Sequence, residues 1–231
     1  MTEFINTYLY LFSQIVWICL YFFGLLFLKG KRSSILFSSV AALPQAFLGA
    51  DVYSGTWVPN RILVIGAGVE DFIFCFLLGG LAWITTIFVI QKRVTIQFQF
   101  RGIIKRFLIS LLFGIVATAA LYLLDIREYL NSFIVMVIWC IVIFAYKKNY
   151  WPFLIIGSSS FFIVYMAGLL IGLFIWPDLL SLWNLENFSG ISFLRIPLEE
   201  LVWAFLYGGT WSLTIAFLLD VRLHKEFRLT K

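Results

Sequence analysis

The chain has 231 residues, 62% of them hydrophobic and only 13% charged, with a mean hydropathy of +0.99. Soluble domains carry about 25% charged residues, so the composition excludes a soluble globular domain and indicates an integral membrane protein. The net charge of +5 is no sign of nucleic acid, because the basic residues fall in short connections between apolar runs. Cys19, Cys75 and Cys140 sit singly inside such runs, which argues against a disulfide framework and against a zinc site. No metal and no cofactor is expected.

Runs of about 20 apolar residues match a hydrocarbon core of about 30 Å. Seven are read, at 5–28, 34–50, 62–90, 107–124, 130–146, 152–176 and 197–219. Glu3 is the only charge before the first run, and no small-residue cleavage site follows, so that run is expected to be a retained span. One alternate set of connections holds Lys29, Lys31, Arg32, Lys92, Arg93, Arg101, Lys105, Arg106, Lys147, Lys148, Arg222, Lys225, Arg228 and Lys231. The other holds only Arg61, Arg127 and Arg195. The positive-inside bias then places the N-terminus outside and the C-terminus in the cytoplasm. The expected location is a membrane of prokaryotic cytoplasmic type.

The third and seventh runs carry the same features in the same order. Glu70-Asp71 and Glu199-Glu200 each open a run, an aromatic (Phe74, Trp203) follows four residues after the first acid, and Gly-Gly and a tryptophan (Trp83, Trp211) come later. Upstream, Asp51 and Trp57 answer Asp178 and Trp183. The expected architecture is an all-α membrane protein of seven transmembrane helices. Two parallel three-helix repeats, 1–90 and 130–231, related by an axis along the membrane normal, are joined by a basic loop and connector helix at 91–129.

Glu70 precedes Lys92 by 22 residues and Glu199 precedes Arg222 by 23. At about 1.5 Å per residue both lie at the same depth, toward the outer leaflet. An ionisable group in a membrane segment is a functional hypothesis by default. A carboxyl in a water-poor site can stay protonated as a general acid, and an aromatic one turn away stabilises a nearby cation. That combination suits protonation of a carbon–carbon double bond. The competing reading is structural: carboxylates favoured at a helix N-terminus, with Pro197 placed for a first turn. Gly79 and Gly208, on the face opposite the acids, are expected to let another helix approach closely.

Pro197-Leu198-Glu199-Glu200 with its aromatic-rich helix resembles the P-x-E-E motif of the flavin-independent lycopene cyclase domain family. The likeness is clearest over 39–90 and 159–219. The resemblance implies two small multi-span units fused in tandem and an acid-catalysed ring closure at the end of a linear carotenoid. It implies Glu199 as first proton donor, with Glu200, Glu70 and Asp71 next. Phe74, Trp203, Trp83, Trp211 and Pro197 would shape the substrate site. Asp51 and Asp178 are either loop caps or a second acid–base pair. The first copy departs from the motif, with Gly68 in the proline place and Asp71 in the second acidic place. Expected partners are a linear carotenoid or related isoprenoid, membrane lipid and neighbouring carotenoid-pathway enzymes, and no nucleic acid.

Four other readings bear on the sequence. Ile62 to Gly68 mimics a dinucleotide fingerprint, but Asp71 stands at its third glycine and no βαβ unit follows. A retinal protein needs a lysine in the last span, and 197–219 has none. A small carrier with a three-plus-one-plus-three repeat needs a polar midplane site. Pro44-Gln45 and Ser158-Ser159-Ser160 offer one, unless Pro44 is a packing kink and the serines mark a helix start. A non-catalytic lipid-binding relative is the remaining alternative.

Overall fold

A computed structural model describes residues 8–47, 55–62, 64–65, 67–96 and 98–224. It is mostly helical, with seven principal helices among the described residues: α1 (Leu9–Phe27), α2 (Arg32–Ala42), α3 (Val69–Ile90), α4 (Phe100–Leu123), α5 (Glu128–Tyr146), α6 (Trp151–Ile175) and α7 (Leu198–Leu218). Among the described residues, six are long and apolar enough to cross a membrane, all but α2. The all-α membrane character expected from composition is thus found. Among the described residues there are also three short antiparallel pairs: β1 (Val64–Ile65) with β2 (Ala67–Gly68), β3 (Val94–Thr95) with β6 (Arg222–Leu223), and β4 (Ser192–Phe193) with β5 (Ile196–Pro197).

Two apolar runs read as whole spans are divided in the structure. The run at 34–50 is helical only to Ala42, turns at Leu43 and Pro44, and is helical again over 45–47, with 48–50 outside the described residues. Pro44 supplies the reason, since it lacks the N–H that an uninterrupted helix needs and crowds the preceding turn. The run at 62–90 begins as the β1–β2 hairpin, and its helix starts only at Val69. A short apolar run reads alike as buried strand or buried helix, which is why the hairpin is not visible in composition.

Contacts divide the chain into two compact units. The first holds 1–81 and 163–202, so it includes α1, α2, the first half of α3, the second half of α6 and the start of α7. Within it, Tyr10 near the start of α1 donates to Asp71 near the start of α3 (3.0 Å). These two helices therefore begin at the same end, and the chain between them returns the length of α1, about 28 Å. α2 makes part of that return. Ser39 meets the hydroxyl of Tyr21 (3.0 Å) and Ser38 donates to the carbonyl of Gly79 (2.6 Å). A Cβ on Gly80 would collide with Tyr21 and Ser39, so the Gly79–Gly80 step of α3 lets α2 approach to van der Waals distance.

The second unit holds 82–162 and 203–231. Here Gly208 and Gly209 of α7 do for α6 what Gly79 and Gly80 do for α2. A Cβ on Gly208 would meet the Gly157 carbonyl at 2.6 Å, and one on Gly209 would strike Ser158. Ser158 to Ser160 therefore lie inside α6, whose start is Trp151, and do not mark a helix start. Hydroxyl contacts add to this packing: Thr86 to Ser212 at 2.7 Å, Trp139 Nε1 donating to Thr214 at 2.9 Å. α4 is nearly bare, with 6% of its apolar window buried, as suits a helix whose surface faces lipid. At the far ends of the helices, Lys147 pairs with Asp220 (2.9 Å), and His224 donates its N–H to the Arg93 carbonyl (2.9 Å).

Replacing Gly208 with alanine should destabilise the protein by about 1–3 kcal/mol, because backbone on a facing helix cannot yield as a side chain can. Gly114→Ala in α4, where a new Cβ meets nothing within 4 Å, should leave stability unchanged. Thermal unfolding in detergent compares the two. The hydrogen bond from Lys147 holds the Asp220 carboxyl below its ordinary value, so this pair stabilises at neutral pH and the gain is lost as pH falls through that lowered value. Asp220→Asn should cost less than about 1 kcal/mol at pH 7, since the pair is a third exposed. The deficit should vanish in acid, as read by melting temperature against pH.

Candidate functional site

The two acidic pairs open α3 and α7, and each is prepared by a hairpin. In the second copy, β4 and β5 are joined by Leu194 and Arg195, both at positive φ (50° and 70°). Two such residues form the turn whose twist suits an antiparallel pair. Pro197 closes β5 and immediately precedes α7, so it sits just outside the helix instead of in its first turn.

Within each pair the two acids have different tasks. The first acid turns back to the preceding loop. Glu70 Oε1 accepts the N–H of Ile62 (2.9 Å), and Glu199 Oε1 accepts the N–H of Ser189 (2.7 Å). The other oxygen of each, Oε2, is buried without a hydrogen-bond partner. The second acid turns to aromatic hydroxyls. Asp71 accepts from Tyr10 (3.0 Å), from the Gly68 N–H (2.8 Å) and from the Arg61 guanidinium at 2.6 and 3.4 Å. Glu200 accepts from the Tyr165 hydroxyl (2.5 Å) and the Trp183 indole N–H (3.0 Å). Adjacent helical residues point about 100° apart, and that divergence is what separates the two tasks.

The aromatic donors of the second acids line one cleft inside the first unit. Tyr10 and Trp17 of α1, Tyr165 of α6, Phe74 of α3, Trp57 and Trp183 all face it. Its aromatic walls are mutually packed. Trp17 stacks on Tyr165 (4.9 Å between centroids, 14° between planes), and Tyr10 meets the edge of Trp57 (5.3 Å). Gly168 gives the Trp17 ring its place, since a Cβ there would strike the indole at 2.5 Å. Trp57 and Trp183, aligned in sequence as corresponding residues, bridge each other. Their rings lie 4.7 Å apart, and the flanking strands exchange Val58 N–H to Leu182 O and Asn184 N–H to Thr56 O, both 2.9 Å. The free volume of the cleft is about 20 Å³, room for one or two waters.

Of the aromatics expected beside the acids, Phe74 lines the cleft. Trp83 is fully buried and stacks near Phe153 (6.1 Å), while Trp203, Tyr207 and Trp211 stack in series along α7. Those three tryptophans belong to the second unit and do not line the cleft. Asp178 is exposed in the first turn of a 3-10 helix, Pro177–Leu182, and Asp51 lies outside the described residues. Among the described residues no cluster of His, Cys, Asp or Glu could hold a metal ion. Sequence reasoning missed Tyr10, Tyr165 and Arg61. The tyrosines stand 61 and 35 residues from their acids, and only their polar tips inside apolar runs hint at a partner.

Comparison with known proteins finds no matching family model, no matching curated protein and no matching solved structure.

The Arg61–Asp71 pair is largely buried, with side chains 15% and 5% exposed. Removing one partner of such a pair leaves an uncompensated charge, so Arg61→Gln should cost about 3–5 kcal/mol. The double variant Arg61→Gln/Asp71→Asn should recover most of that loss. A double-mutant cycle on thermal stability measures it.

Proposed function

We propose that this chain is a lycopene cyclase-like membrane isomerase that closes a ring at the end of a linear carotenoid or related isoprenoid by acid-initiated chemistry. One observation carries the reading: carboxyl groups from both acidic pairs reach one aromatic cleft through tyrosine hydroxyls. Protonating a terminal double bond leaves a tertiary cation, and π faces stabilise such a cation where water is scarce. An internal double bond then attacks the cation, and loss of a proton leaves the ring with no net redox change. Neither a metal nor a redox cofactor has a role in that sequence.

The geometry also favours a change of emphasis within the motif. Glu199 is engaged with the Ser189 backbone, whereas Glu200 is the acid bonded to a cleft residue. Glu200 with Tyr165 is therefore the proposed proton donor, and Glu199 and Glu70 hold the entry loops. A ring-sized end group is far larger than the free volume present, so the cleft must widen to admit it. The Trp57–Trp183 contact, spanned by two backbone hydrogen bonds, is the proposed place for that widening.

The same proposal keeps seven spans in two parallel repeats, N-terminus outside, in a prokaryotic cytoplasmic membrane. Its supports are the return of the chain between α1 and α3, the hairpin before each diacid helix, and the matched packing of α2 on Gly79–Gly80 and of α6 on Gly208–Gly209. Carotenoid-pathway enzymes next to it in the membrane would supply the linear substrate.

Lycopene-accumulating bacteria expressing the chain should form monocyclic or bicyclic carotenes, resolved by chromatography and absorbance. Glu200→Gln should reduce ring formation by about 100-fold or more, and Glu199→Gln should act mainly by lowering the amount of folded protein. Unchanged lycopene beside a folded, membrane-inserted parent would remove the proposal.

A further inference from the structure

The two carboxyl–tyrosine pairs at the cleft are alike in geometry and unlike in charge. Asp71 carries an ion pair to Arg61 in addition to Tyr10 and the Gly68 N–H. Glu200 has two neutral donors, Tyr165 and Trp183, and among the described residues forms no ion pair. The basic residue of the second entry loop, Arg195, is exposed and reaches the Pro177 carbonyl instead (3.4 Å). One carboxyl is thus held against a permanent cation. The other has, among the described residues, only neutral donors.

An isomerisation of this kind adds one proton to the substrate and removes another from a different carbon. It needs a donor and an acceptor in reach of one molecule. Resting on the ring-closing reading above, we propose that the two pairs divide these roles: Glu200 with Tyr165 delivers the proton, and Tyr10 with Asp71 and Arg61 receives the one released. On the donor side, the Tyr165 O–H proton passes to the terminal alkene carbon while the Glu200 carboxyl proton replaces it on Tyr165. A C–H bond forms, the π bond breaks and the tertiary cation remains. The internal π bond closes the ring and moves the positive charge to a ring carbon. On the acceptor side, the adjacent C–H bond breaks and its electron pair becomes the ring double bond. The proton goes to Tyr10 as the Tyr10 proton passes to the Asp71 carboxylate. Glu200 ends anionic and Asp71 neutral. Return of one proton from Asp71 to Glu200 through water restores the site, and Arg61 favours that direction by preferring an anion beside it.

The departure of the first copy from the motif then has a meaning. Asp71 in place of a second glutamate is a shorter side chain, held by an arginine ten residues upstream of it. It is the acceptor half of one site, not a weakened copy of the donor half.

Membranes containing the full chain, supplied with lycopene in deuterated buffer, test the division. The parent should place one solvent deuterium in each ring formed. Glu200→Gln and Tyr165→Phe should yield neither ring nor deuterated substrate. The charge-balanced Arg61→Gln/Asp71→Asn variant should still put deuterium into recovered lycopene and products, while the parent's ring product falls by about 100-fold and other double-bond positions appear. Melting temperatures establish that each variant is folded. A merely structural role for Asp71 would lower all products together and would not separate deuterium uptake from ring formation. If the double variant makes the parent's ring in the parent's yield, or if it loses deuterium uptake while Glu200→Gln keeps it, the division of roles is overturned. A parent that forms no ring would remove the ring-closing reading itself, and this inference with it.

Discussion

A carboxyl group placed at the start of an apolar membrane helix has little water to accept from, so the protein must bring donors to it. Four such groups, at Glu70, Asp71, Glu199 and Glu200, organise the first unit. Glu70 and Glu199 draw in the backbone N–H groups of the loops before them, and those loops are folded back by hairpins. Asp71 and Glu200 draw in tyrosines from α1 and α6. The aromatic cleft is the space those tyrosines enclose with Trp57 and Trp183. Removing the acids would leave the loops and the tyrosines without their anchor.

The helices themselves are held by a different device. In lipid there is no hydrophobic drive for one apolar helix to leave the tails for another, so close approach and short hydrogen bonds carry the association. Each Gly-Gly step sits a little over two turns beyond its acid pair and receives a helix that bears small residues, Ser38 and Ser39 in one unit, Gly157 and Ser158 in the other. α4 carries no Gly-Gly pair, and it is little buried.

What the sequence makes legible follows from which interactions are local. Runs of about 20 apolar residues identify six of the helices, because bilayer thickness sets their length, although α4 begins at Phe100, ahead of the run expected at 107–124. The run at 34–50 misleads because Pro44 acts on the backbone without changing hydropathy, and the run at 62–68 misleads because apolar composition does not distinguish hairpin from helix. The acid pairs are visible as charge in an apolar context. Which acid turns to the cleft is not, since it depends on where the helix begins, and a shift of one residue rotates the assignment by 100°. Tyr10 and Tyr165 are partners only through tertiary packing, so no spacing in the sequence reveals them.

The sequence shows a doubled motif, from which two equivalent active sites are the natural expectation. Both second acids instead connect to one cleft, and the residues around them have lost equivalence: Arg61 is buried against Asp71, while its counterpart Arg195 lies on the surface. On the proposed reading of a tandem repeat, duplication supplies two identical acids. Two identical carboxyls at one cleft would compete for the same proton state, and neither would be fixed as donor or acceptor. Placing a cation beside one of them breaks that degeneracy with a single side chain. On the ring-closing reading, the divergence of the first copy is therefore what a proton-neutral reaction requires of a doubled scaffold, because the chemistry asks for two carboxyls in opposite protonation states within reach of one substrate.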